Sequence, residues 1–265
     1  MITQKQKRAL VLAVRAGEIL MKNGAEIYRV EEVITRICHA CEIPYVEVFA
    51  TPTGIFTSIG TGGADGETET YIKAIKSRTT DLEKISKVNS FSRRFTTTVL
   101  SVEDGMKELT AIDNEKPFCL GLRLFGASFV AALFAMIFGG QWQDGLCAGV
   151  IGPLSYLLSL FLAKHDVSYF IQDFFCCALA SLLALTAETL GLTGAHDHII
   201  IGVLMIFVPG AAFTNSLRDF LSGDMLSGVA RLTEALAIAI SLAAGAGFVL
   251  KIWGSLVGLI GGAIV

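Results

Sequence analysis

The stretch Val208–Glu234, VPGAAFTNSLRDFLSGDMLSGVARLTE, decides how the rest of the chain is read. A Pro209-Gly210 pair breaks an apolar run. Asn215, Arg218, Asp219, Asp224, Arg231 and Glu234 then fall within twenty residues, and a second apolar run follows. Proline removes a backbone donor and kinks or ends a helix. The stretch therefore reads as a polar junction between two segments fit to cross a bilayer.

Working outward, charge divides the chain. Only 17% of its 265 residues are charged, against roughly 25% in soluble domains, and 53% are hydrophobic. Residues 1–116 hold 16 of the 21 Lys/Arg and 16 of the 24 Asp/Glu, whereas 117–265 hold five and eight. The step near Pro117 predicts an α+β cytoplasmic domain over 1–116 and a helical integral membrane domain over 117–265. A net charge of −3 without a basic block excludes a nucleic-acid partner. The N-terminus MITQKQKRALVLAVRAG has no charge-free apolar core of the secretory kind, so the first domain is expected to stay in the cytoplasm. Four of the six cysteines lie in apolar segments, which argues against a disulfide framework.

In the first half, apolar spacing predicts a helix over residues 3–22 ended by Asn23-Gly24, and a second over 25–41. After Pro44 the period changes. Tyr45–Ala50, Thr53–Ile59 and Thr68–Ile75 read as strands, with Gly60–Gly66 as a hairpin loop. A helix capped by Asp81 over 81–94, a short strand over Thr96–Val99 and a helix over 102–112 complete this half. The loop GTGGADG lacks the Lys-Ser/Thr of a phosphate-binding loop, and Cys38-His39-Ala40-Cys41 has no further ligands beside it in this half. No nucleophile–histidine pair is visible. The sequence thus predicts no enzyme, no metal and no cofactor.

In the second half, Phe118–Phe138, Gly145–Ala163, Val167–Leu190 and Ile199–Leu217 each approach the ~20 residues a bilayer takes as helix. Leu232–Val265 is too long for one span and too short for two with a turn. One span over 229–250 is expected, with the tail 252–265 continuing it or lying at the interface. Gly139–Asp144 and Gly191–His198 contain no Lys or Arg, while Lys164 and the Arg218 region do. The positive-inside rule then gives five spans, N-terminus in and C-terminus out. Glycine and alanine faces suit close helix packing in lipid.

Broken helices recur near transporter substrate paths, because half-helix ends and freed carbonyls can meet a ligand. Pro209 and Gly210 would open the helix, and Thr214 and Asn215 would hydrogen-bond a substrate. Arg218 and Arg231, with Asp219 and Asp224 beside them, would hold its carboxylate by paired hydrogen bonds. Equally, these charges suit an ordinary cytoplasmic loop. Glu234 lies about a turn inside a span, where an unpaired carboxylate is costly, and is the first choice for a proton carrier, with Glu188 second. Glu26, Arg29 and Glu31 read as a solvated helix face.

The run Gly24-Ala25-Glu26-x-x-Arg29-Val30-Glu31-Glu32, Thr53-Gly54-Ile55, and PG-x(4)-NS-x-RD-x(3)-GD-x(3)-G-x(2)-R-x(2)-EA from Pro209 to Ala235 together resemble the threonine/serine exporter family. The resemblance covers nearly the whole chain. It implies export of small hydrophilic metabolites, threonine and serine or, in a two-component branch, a dicarboxylate such as succinate. In that branch a larger subunit of soluble domain plus five spans works with a smaller five-span subunit. Longer members fuse both parts. The chain resembles the larger subunit, so a small membrane partner in the inner membrane is implied, and five crossings would make the two modules inverted. The resemblance also raises Glu26, Arg29 and Glu31 to gating or docking candidates. The expected activity is therefore proton-coupled export by alternating access. A membrane-tethered hydrolase and a ligand-sensing scaffold are the alternatives.

Overall fold

A computed structural model describes residues 2–61, 67–76, 79–98 and 100–261, with side chains to residue 255. Most of the expected hairpin loop, residues 62–66, lies outside the described residues, as do Val99 and residues 262–265 of the tail. Two compact units emerge. One joins Met1–Lys116 to Gly210–Thr233; the other joins Pro117–Pro209 to Glu234–Val265.

The first unit is built on α1 (Gln4–Lys22), whose Ala9, Leu12, Ala13, Ala16, Ile19 and Leu20 are fully buried. Its start is fixed by a capping box between Thr3 and Gln6, and its end by Asn23 and Gly24, the latter at φ +88°. Against it packs α2 (Ile27–Ala40) through Ile27, Val30, Ile34 and Ile37. At Gly17 the two helices touch so closely that a Cβ would sit 2.5 Å from Ile34 Cδ1. A three-stranded antiparallel meander follows: β1 (Tyr45–Thr51), β2 (Gly54–Gly60) and β3 (Thr68–Ala74), in the order β1-β2-β3. Alternation places Ile55, Thr57 and Ile59 inside. Phe49, Phe56 and Ile72, in register across the strands, are exposed.

Asp81 caps α3 (Leu82–Thr97) by accepting from Glu83 N and Lys84 N, each at 3.1 Å. Thr96 and Thr97, expected to begin a short strand, lie in the helix instead. The hydroxyl of Thr96 donates to the Arg93 carbonyl and that of Thr98 to the Arg94 carbonyl, which carries the helix through Thr97. Ser101 caps α4 (Val102–Asp113), which closes the core with Leu109 and Ile112.

The second unit contains α5 (Leu120–Ile137), α6 (Trp142–Lys164), α7 (Tyr169–Thr189) and α8 (His196–Leu204). Its core is mostly alanine: Ala131, Ala135, Ala148, Ala180 and Ala184 meet Ile151, Ile199, Ile200 and Val203. Small residues set the spacing, as expected in lipid. A Cβ at Gly202 of α8 would lie 2.5 Å from the Ala131 carbonyl, and Ser128 Oγ donates to the Gly149 carbonyl at 2.6 Å. Two further helices follow in the chain: α9 (Gly210–Leu221), within the first unit, and α10 (Met225–Gly261), a continuous 37-residue helix whose residues from Glu234 belong to the second. In that unit Ser241 Oγ bonds the Phe170 carbonyl, and Gly245 lies against the Phe174 carbonyl.

Four described helices, α5, α6, α7 and α10, are long and apolar enough to cross a membrane. The expected span Ile199–Leu217 is not one helix but is divided between α8 and α9. Pro209 has no amide to donate and disfavours helical geometry at Val208. The chain consequently leaves helix at Leu204, turns through Met205–Phe207, and resumes at Gly210. The expected tail is helical without a break as far as Gly261.

Candidate functional site

Residues Gly210–Thr233 of the junction stretch and the Gly24-Ala25-Glu26 motif, some 190 residues apart, form one structure inside the first unit. The turn between α1 and α2 presents two carbonyls and the free amides of a helix start. Asn215 Nδ2 donates to the Gly24 carbonyl at 2.9 Å, and Arg231 Nη2 to the Ala25 carbonyl at 2.6 Å. Ile27 N donates to Asp219 Oδ1 at 3.4 Å. Glu26, at the N-cap of α2, makes no capping bond of its own. The carboxylate at this helix start thus comes from Asp219, where the dipole favours negative charge. Glu26 instead takes Arg29 Nε at 2.8 Å and is also bonded by Arg218 Nη1. From the other flank, Thr79 N donates to the Lys22 carbonyl at 2.8 Å and Asp81 N to the Asn23 carbonyl at 3.1 Å.

Burial sets the electrostatics. Asp219 is fully buried, and its Oδ2 lies 3.3 Å from Arg231 Nε, a charge pair without a hydrogen bond. Desolvation raises the Asp219 carboxyl above the usual aspartate range; it outweighs the attraction of Arg231 and the Ile27 amide, and Asp224 and Glu26 push the same way. Burial also works against the Glu26 charge, but its own backbone amide, Arg29 and Arg218 outweigh it and lower that carboxyl. Glu31 accepts from Ala50 N of β1 at 2.9 Å; burial raises it, and Asp224 adds repulsion. Glu26 and Glu31 are thus parts of the fold's polar interior, more than a solvated face.

Pro209 and Gly210 precede and open α9. Thr214 is exposed and its hydroxyl bonds back to the Gly210 carbonyl at 2.9 Å. Arg218 is half exposed. Gly223, at φ +91°, turns α9 into α10, and the Phe220 ring lies over Gly228 so closely that no Cβ fits there. Glu234 lies one turn along α10 from Arg231 and, like Glu188, is partly buried. Glu188 belongs to α7 in the other unit, where its carboxylate meets His196 Nδ1 at 2.7 Å. Among the described residues no group of three or more His, Cys, Asp or Glu is placed to hold a metal.

Two arrangements have no counterpart in the sequence reading. Glu18, 5% exposed at its side chain, is met by Arg15 at 2.7 Å, Lys22 at 2.7 Å and Lys73 at 3.2 Å. The i,i+3 and i,i+4 spacings around Glu18 were the available signal. Asp144, in the first turn of α6, is 2% exposed and is capped by Gln141 N at 2.8 Å and by the Thr193 hydroxyl. Its position at the head of an apolar run was its only local mark.

The family model described as "Putative threonine/serine exporter" matches residues 11–253. The chain is 25% identical over 242 residues to a probable threonine/serine exporter of Mycobacterium tuberculosis, covering 90% of the chain and 45% of that protein. It is 25% identical over 244 residues to a threonine/serine exporter of Corynebacterium glutamicum, covering 89% and 49%. It is 23% identical over 259 residues to a probable succinate transporter subunit of Escherichia coli, covering 96% and 98%. The chain spans slightly less than half the length of the first two relatives. No solved structure matches. With the match running through both the turn motif and the junction that grips it, the chain belongs to the threonine/serine exporter family.

Proposed function

We propose that the chain is the larger subunit of a two-part exporter. It would move a small hydrophilic metabolite, threonine, serine or a dicarboxylate such as succinate, out of the cell by proton-coupled alternating access. It would do so in the inner membrane, with residues 1–116 in the cytoplasm and a small five-span subunit as partner. The similarity to a probable succinate transporter subunit over 96% of the chain supports the two-part reading.

The observation that carries this reading is the interrupted segment 196–209. Helix α8 is roughly 14 Å long and the hydrogen-bonded turn through Val208 adds about 6–8 Å, so the segment enters the ~30 Å hydrocarbon core without filling it as one regular helix. This supports a fifth, discontinuous crossing. Non-helical backbone at such depth is tolerated where it lines a cavity. The chain then enters α9, whose Asn215, Asp219 and, on α10, Arg231 clasp the α1–α2 turn. In this reading these three residues, with Glu26 and Glu31, hold the gate's fixed end. Arg218, Thr214 and the Pro209-Gly210 opening meet the substrate carboxylate, with Arg29 and Asp224 at its rim. Glu234 and Glu188 carry protons.

Counterflow of labelled threonine, serine and succinate into proteoliposomes tests this, using the full chain alone and with its small partner. Uptake that needs both subunits and falls at least tenfold in Arg218→Ala is expected. Loss of uptake on replacing Arg218 should raise KM, since a carboxylate clamp acts on binding. No movement of any of the three by the pair overturns the proposal.

A further inference from the structure

We propose that His198, facing the buried carboxylate of Asp144, is a proton-binding site of the membrane unit; this rests on the exporter reading above. The site lies where α5 and α7 end and α6 and α8 begin. The two connections that meet there, Gly139–Gln141 and Leu190–Ala195, and the first turns that follow contain no Lys or Arg. Within these two connections and first turns, histidine is therefore the only side chain able to carry positive charge, and two of the chain's four histidines are here.

The geometry is that of a pair waiting for a proton. Asp144 is 3% exposed at its side chain, and its acceptor bonds to Gln141 N and the Thr193 hydroxyl hold it in place. His198 Nδ1 is shielded from solvent, lies 3.9 Å from Asp144 Oδ2, and has no hydrogen-bond partner among the described residues. A hydrogen bond needs a closer approach. With a lone pair on Nδ1 the ring presents an acceptor to a carboxylate. With a proton on Nδ1 and on Nε2 it presents a donor and a full charge, so uptake draws the two together. In the step itself, an O–H bond of hydronium breaks and an N–H bond forms on Nδ1; release reverses it. Imidazole is the side chain suited to gain and lose a proton near physiological pH.

His198 is itself 30% exposed at its side chain and so meets water directly, while a second histidine at this end makes its own contacts. His196 bridges two carboxylates, with Nδ1 2.7 Å from Glu188 and Nε2 3.0 Å from Asp197. In either neutral tautomer one of those nitrogens has no proton to offer. Asp197 is 72% exposed and Glu188 35%, so protons reach His196 from water. From the other packed elements, α6 adds the Cys147 thiol near the Leu192 carbonyl, and the end of α5 and the 139–141 connection add no titratable group.

Two measurements decide it. Ring-15N histidine NMR of the full chain in detergent has four residues to resolve, and His198→Gln assigns the signal. Asp144→Asn, which keeps an acceptor at the cap, should shift the pH response of the His198 ring while leaving His39 unchanged. An unshifted His198 response overturns the proposal whether or not transport has been reconstituted. In proteoliposomes with the partner, His198→Gln should keep substrate counterflow within about twofold, because exchange needs no net proton. Its net efflux should lose the severalfold response to external pH expected between roughly pH 5 and 8. A wild-type pH response in both His198→Gln and His198→Asn overturns the proposal and leaves the exporter reading standing. Wild-type protein that moves no substrate removes the exporter reading instead, and the proton site is then judged by the NMR result.

Discussion

Arg231→Ala probes the docking of α9 and α10 on the α1–α2 turn. The change removes the counter-charge 3.3 Å from a fully buried carboxylate and the donor at 2.6 Å to the Ala25 carbonyl. Breaking a buried pair from one side costs about 3–5 kcal/mol, and orphaning a buried acceptor about 1–3 kcal/mol. The two losses share one side chain and do not add. The lower figure of about 3 kcal/mol already corresponds to roughly a 150-fold rise in local opening. Tryptophan fluorescence is blind to this, since Trp142 and Trp253 both lie in the other unit. Amide hydrogen exchange of the full chain in detergent, read on the peptide containing Ile27–Val30, is the suitable assay. Exchange there should accelerate by about two orders of magnitude while the β2 amides hold their rates. The double variant Asp219→Asn, Arg231→Ala should be looser than wild type by less than the sum of its parts, because asparagine needs no counter-ion. Wild-type protection at Ile27–Val30 in Arg231→Ala would show that the pair does not hold the turn.

Three further outcomes are expected. Gly24→Ala forces a side chain into the left-handed region at φ +88° and to 3.3 Å from the Thr79 carbonyl; a loss of about 1–2 kcal/mol should lower the thermal midpoint by a few degrees. Burial opposes the Glu18 charge, but Lys22, Arg15 and Lys73 outweigh it and hold the carboxyl below its ordinary value. Its contribution is therefore present above the ordinary glutamate range and is lost as pH falls through the lowered folded value, so Glu18→Gln should flatten the acid limb of α1 amide protection below about pH 5. Gly245→Ala drives a methyl into the Phe174 carbonyl, backbone that cannot rotate aside. A cost of about 1–3 kcal/mol should appear as earlier unfolding by Trp253 fluorescence.

Local chemistry was legible. Asn23-Gly24 ended α1, Asp81 capped α3, and the period-2 alternation after Pro44 gave all three strands, because each is decided by neighbours within a few residues. Thr96 and Thr97 were misread because β-branched residues suggest a strand, while the threonine hydroxyls in fact bond back to the helix carbonyls. At Pro209 the break was expected, but it opens five residues earlier, at Leu204. The clasp itself was invisible for a different reason. Asn215, Asp219 and Arg231 were read as groups awaiting a ligand, since nothing local reveals that two carbonyls and an amide of Gly24–Ile27 lie opposite them. The Asp144–His198 pair joins the head of one helix to the first turn of another, again a contact with no signature in spacing.

The clasp also has a consequence for biogenesis. The bonds that complete the α1–α2 turn come from residues 191 to 206 positions later in the chain. At about 5–20 residues per second, synthesis leaves the N-terminal core waiting some 10–40 s for the four residues that complete it. Throughout that interval several membrane segments are being inserted while Asn215 and Arg231 do not yet exist. Burying a polar group without its partner costs free energy, so these groups are best left solvated until Arg231 has been made. A fragment ending at Lys116 would remain permanently at that stage, with the Gly24 and Ala25 carbonyls and the Ile27 amide still uncovered.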